Sequence, residues 1–242
     1  MGEKERSLTM LPLSYGRLAG KRAWYFGDSI MAQDQKVYTY PADYNQDQLG
    51  QRCHGYPTLL REAMGIQDAG NFAAGGATVA QQLRQVRTMD FSGPDRPDLV
   101  IIAVGCNDFS QGTPLGTLPL STQREHDDSF IGSYCALLDH IFTGHPTVKA
   151  VLMTPLHRST LHRSGPVPVN GIDLGMPGPP LRAYADAIRE IGAFYACPVA
   201  DMYRSSGLNR MNLPLFTFEG VHPTNDGYRF AIGPLLEALL KL

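Results

Sequence analysis

The chain has 242 residues, of which 43% are hydrophobic and 18% charged, an ordinary globular composition. Its 21 basic and 23 acidic side chains leave a formal net charge of −2, which gives no electrostatic reason to expect nucleic acid or an anionic membrane as partner. No run approaches the ~18–20 apolar residues of a membrane-spanning helix, and a chain of this size buries roughly 70–75% of its unfolded surface.

Residues 1–20 are expected to form an N-terminal extension to a single domain spanning residues 21–242. The extension begins Met1-Gly2-Glu3-Lys4-Glu5-Arg6, with no apolar core of a signal peptide behind it. The expected address is therefore the cytoplasm, or outside the cell if a leader has been removed. Cys53, Cys106, Cys135 and Cys197 form no CxxC pair and are read as free thiols.

The first strand is Arg22-Ala23-Trp24-Tyr25-Phe26, ending at Gly27. A helix follows over Tyr56–Met64, stopped by Gly65, then a weak strand near Gln67–Asn71. Val79, Leu83 and Val86 place a helix over Thr78–Thr88. Asp98–Val104 is apolar after its first residue, as a parallel strand buried on both faces should be. A helix over Ser129–Phe142, a strand at Ala150–Met153 and a helix over Leu181–Phe194 come next. Cys197–Ala200 contains Pro198 and suits a sheet edge, and a helix over Asn225–Leu240 closes the chain. About five strands alternating with helices predict a flavodoxin-like three-layer α/β/α sandwich. Two long loops, 109–128 and 156–180, interrupt the pattern.

Open α/β sheets bind ligands at the carboxyl ends of their strands, and polar clusters stand there. Gly27-Asp28-Ser29 follows the first strand, and Asn71 to Thr78 follows the second, with Gly75 and Gly76 adjacent. Gly105-Cys106-Asn107-Asp108 follows the central strand, and Glu219-Gly220-Val221-His222-Pro223 precedes the last helix. Each cluster taken alone also reads as a turn or helix cap. Together they offer a serine hydroxyl, a histidine to take its proton, an acid three residues away to orient that histidine, and donors for an oxyanion.

These four blocks, in this order, resemble those of the SGNH, or GDSL, hydrolase family. The resemblance implies a serine esterase on a flavodoxin-like fold, with Ser29 as nucleophile and His222 as base. It implies an oxyanion hole from Ser29, Gly76 and Asn107, with no metal or cofactor. The family carries Asp where this chain has Glu219, so the expected triad is Ser-His-Glu. The expected partner is a small acyl or carbohydrate-linked ester such as an acetyl sugar, and a homo-oligomer is compatible with the sequence. Two other readings use the same residues, a non-catalytic sugar- or phosphate-binding module and an acyltransferase. His157, Arg158, His162 and Arg163 in the second long loop read either as contacts for a polar or anionic substrate or as a solvated face. Tyr38, Tyr40, Tyr44 and Tyr56 read either as a cleft lining or as loop packing.

Overall fold

The computed structural model describes residues 15–39, 42–118, 128–159 and 178–242. Its strands are β1 (Arg22–Gly27), β2 (Gln67–Asn71), β3 (Leu99–Ala103), β4 (Lys149–Met153) and β5 (Val199–Ala200). They form one parallel sheet in the order β2-β1-β3-β4-β5. The helices are α1 (Ser29–Ala32), α2 (Tyr56–Met64), α3 (Val79–Val86), α4 (Cys106–Gln111) and α5 (Phe130–Gly144). They continue with α6 (Leu181–Phe194), α7 (Met202–Ser205), α8 (Leu213–Phe216), α9 (Asn225–Ala231) and α10 (Gly233–Leu240).

Successive strand side chains point to opposite faces, and that alternation builds two cores. Trp24, Phe26, Val100, Ile102, Ala150 and Leu152 face α3, α5 and α6. Ala23, Tyr25, Leu99, Ile101, Val151 and Met153 face α2, α9 and α10. This is the expected α/β/α sandwich, with short β5 at an edge.

Local chemistry sets the boundaries. Thr78 caps α3 in a reciprocal capping box with Gln81, and Ser129 caps α5 by accepting from the Gly132 N–H. Both residues therefore stand just outside the helices expected to begin with them. Gly65 ends α2 in the left-handed region. The expected continuous helix over Asn225–Leu240 is broken between Ala231 and Gly233. Pro234 is the cause, because it lacks an N–H and its ring crowds the carbonyl four residues back.

The first long loop is shorter than expected, since α4 extends to Gln111. Residues 119–127 and 160–177, with His126, His162 and Arg163, lie outside the described residues, as do Tyr40 and residues 1–14. No helix among the described residues is long and apolar enough to cross a membrane. All four cysteines are free; Cys53, Cys106 and Cys135 are buried and Cys197 is partly exposed.

Candidate active site

The strand order reverses between β1 and β3, and the crevice at such a point is where open sheets bind ligands. Ser29 follows β1 there and Asn107 follows β3. The two strands meet closely because residue 27 has no side chain. A Cβ at Gly27 would lie 2.8 Å from the Ala103 carbonyl oxygen and 2.9 Å from the Met31 Cβ. Asp28 then caps α1, accepting from the Ile30 N–H at 3.0 Å, which leaves Ser29 as the first helical residue.

The Ser29 Oγ lies 2.8 Å from the His222 Nε2. His222 stands on a tight hairpin closed by a Thr217–Pro223 bridge and by the Phe218 N–H donating to the His222 carbonyl at 3.0 Å. Glu219 turns back within that hairpin. Its Oε1 accepts from the His222 backbone N–H at 3.1 Å and also meets the His222 Nδ1. The longer acid thus reaches the imidazole across the three-residue spacing, while buried from solvent. An acceptor at Nδ1 fixes the proton there and frees Nε2 to accept the serine proton.

Gly76 has φ +75°, the left-handed region, whereas Gly75 does not. The Asn107 amide donates to the Ala77 carbonyl at 3.2 Å, which holds that side chain beside the Gly76–Ala77 turn. Asp108 braces the same junction, accepting from the Val79 N–H at 3.1 and 3.3 Å. The backbone N–H groups of Ser29 and Gly76 find no acceptor among the described residues. Unclaimed donors of this kind are what a developing oxyanion requires.

Two carboxyls beneath the site are buried out of water. Burial pushes Asp28 up to about 6 against the opposing Ile30 N–H bond. Asp108 is raised to about 7, again mainly by burial, with the Val79 N–H opposing. A cavity of about 30 Å³ adjoins Asp28, lined also by Ile30, Val104, Cys106, Pro155 and Leu156 among others. A wider cavity, about 250 Å³, opens at the opposite end of the strands between Arg17, Lys21, Lys149 and Leu239. No candidate residue lines it, so size is no guide to the chemistry here.

Several residues take places that the sequence did not assign. Gln82 is buried, and its amide donates to the Gly27 carbonyl at 3.0 Å, supporting the strand end that carries Ser29. The signal was a polar residue three positions from Val79, on the apolar face of α3. Arg158 is buried and so does not belong to a solvated face. His157 stacks on Tyr203, with ring centroids 4.1 Å apart. Tyr38 and Tyr56 are core residues: Tyr38 packs on Phe218 and donates to Asn225, and Tyr56 packs edge-on to Tyr228. Among the described residues no group of histidine, cysteine or acidic side chains is placed to hold a metal.

The model of the GDSL-like Lipase/Acylhydrolase family matches residues 25–230. The chain belongs to that family and is a carboxylic ester hydrolase. A Lactobacillus plantarum protein shares the fold at 22% identity and a TM-score of 0.67, covering 91% of this chain and 97% of its own. A possible lipase from Chitinophaga pinensis aligns at 20% identity and a TM-score of 0.65, covering 91% and 96%. Axe2, an acetylxylan esterase from Geobacillus stearothermophilus, aligns at 17% identity and a TM-score of 0.56, covering 91% and 94%. Comparison with curated proteins gave no match.

Proposed function

We propose that this enzyme cleaves small acyl esters by nucleophilic attack of Ser29, with His222 as general base and acid and Glu219 as the acid that orients it. The observation that carries this reading is the hydrogen-bonded line from Ser29 Oγ through His222 to Glu219. His222 Nε2 takes the hydroxyl proton as Oγ attacks the carbonyl carbon. The backbone N–H groups of Ser29 and Gly76 and the side-chain amide of Asn107 receive the oxyanion. His222 then protonates the departing alcohol, and water releases the acyl group by the same roles reversed.

The acetylxylan esterase that shares this fold makes acetylated sugars a reasonable part of the substrate panel. Ser29→Ala should lose at least about 10³-fold in kcat on p-nitrophenyl acetate and escape labelling by a fluorophosphonate. A variant that keeps the full rate would remove Ser29 as nucleophile. Across acetyl to octanoyl esters, kcat/KM should be greatest at the short end. Product analysis with an added alcohol or sugar separates hydrolysis from acyl transfer.

A further inference from the structure

Arg158, just beyond β4, plays no part in the chemistry proposed above, yet it is buried to 4% exposure. No carboxylate among the described residues lies within ion-pair distance of it. Burying a guanidinium is costly unless its donors are satisfied. Here they converge on one short stretch of chain. Nη1 donates to the Cys106 carbonyl at 3.2 Å, to the Cys106 sulfur at 3.0 Å and to the Ser110 hydroxyl at 2.9 Å. The guanidinium carbon also lies 5.7 Å from the centre of the Phe109 ring. Those partners are the body of α4, and the Cys106 carbonyl belongs to the peptide bond that leads into Asn107.

The other side of the guanidinium points to the base. Nε donates to the carbonyl of Ser159 at 3.1 Å. The Ser159 N–H donates to the Gly220 carbonyl at 2.7 Å. Gly220 lies between Glu219 and His222 with φ +82°, and a Cβ there would stand 2.5 Å from the Ser159 Cβ. Consecutive residues after β4 therefore grip α4 on one side and the Glu219–His222 hairpin on the other.

We propose that Arg158 is a positioning residue of this hydrolase, fixing the Asn107 amide relative to the His222 imidazole through α4 and the Ser159–Gly220 contact. The proposal rests on the reading of Ser29, His222 and Asn107 as the reacting groups. Its energetic basis is geometric, since a displacement of about 1 Å from a reacting centre can cost about 10²-fold in rate. Lysine cannot replace it, because one ammonium cannot serve α4 and the Ser159 carbonyl at once, as Nη1 and Nε of a single planar guanidinium do.

The test compares kcat and KM on p-nitrophenyl acetate for wild type, Arg158→Lys, Arg158→Ala and Ser110→Ala, with near-UV circular dichroism as the check on packing. Arg158→Lys should lose about 10-fold and Arg158→Ala about 100-fold in kcat, each with KM within about twofold of wild type. Added methylguanidinium should raise the kcat of Arg158→Ala saturably and leave wild type unchanged. If both Arg158 variants lose their packing, Ser110→Ala decides, because it removes only one anchor of the fork. A loss of about threefold in kcat at constant KM supports the role, and wild-type kcat overturns it. A rise in KM with constant kcat in the Arg158 variants also overturns it, since that would make Arg158 a substrate contact. The two readings fail separately. Full activity of Ser29→Ala sinks the catalytic reading, whereas an inactive Ser29→Ala beside fully active Arg158 variants sinks the positioning role alone.

Discussion

Glu219 offers a single oxygen, Oε1, to both the backbone N–H and the Nδ1 of His222. Its other oxygen, Oε2, is buried with no hydrogen-bond partner among the described residues. Glu219 therefore meets the imidazole through one oxygen, and replacing the acid with an amide should be felt in the chemical step. Glu219→Gln is expected to lower kcat by about 10²–10⁴-fold, because an amide can present its donor to Nδ1 and favour the wrong tautomer. Circular dichroism should show an intact fold, and unchanged turnover would mean that another group orients His222. Asn107→Ala should lower kcat by about 10²–10³-fold, the usual consequence of removing one oxyanion donor. A change confined to KM would place Asn107 in ground-state binding instead.

At the scale of elements, the site is carried by the connections after strands rather than by the long helices. α1 and α4 are each a turn or two long, yet each presents a candidate group at its start. The long helices α5 and α6 supply the covering layer. A substitution in that layer should act on stability and not on chemistry. Gly192 on α6 is such a position, since an added Cβ would come within 2.2 Å of the Val199 Cγ2 and 3.1 Å of the Cys197 carbonyl oxygen. Alanine would gain roughly 0.5–1 kcal/mol from helix entropy. Overpacking against β5 costs about 1–3 kcal/mol, so the clash should win. Gly192→Ala is expected to melt several degrees lower with kcat within about twofold of wild type. A higher melting temperature would show that β5 yields to the methyl.

Over the whole molecule, the raised carboxyls of Asp28 and Asp108 make stability depend on pH. An unfolded aspartate gives up its proton near pH 4, whereas these hold theirs to about 6 and about 7 when folded. Between those limits the native state binds more protons than the unfolded chain, so stability falls as pH rises. Asp90 and Asp98 are shifted downward, and their stabilisation is already complete above about pH 5. The melting temperature should therefore drop from pH 5 to pH 8, with a loss on the order of 4 kcal/mol. Asp108→Asn keeps an acceptor for the Val79 N–H without the charge and should flatten that drop. A wild-type melting temperature that rises over this range would contradict the account.

The sequence by itself determined the parts. The apolar runs of β3 and β4, the helical spacing of α3, and the polar clusters at strand ends are local patterns, because burial and backbone geometry leave periods and punctuation in neighbouring residues. Only the tertiary structure decided what those parts face. Ser29 and His222 are 193 positions apart and meet at 2.8 Å. No period in the chain encodes such a pairing, which arises when parallel strands bring their carboxyl ends to one edge. Arg158 shows the limit most clearly. In sequence it is a charged residue in a polar loop, and it is buried because α4 and the Glu219–His222 hairpin close over it. A side chain's covering comes from distant chain, so its burial is a property of the fold and not of its neighbours in sequence.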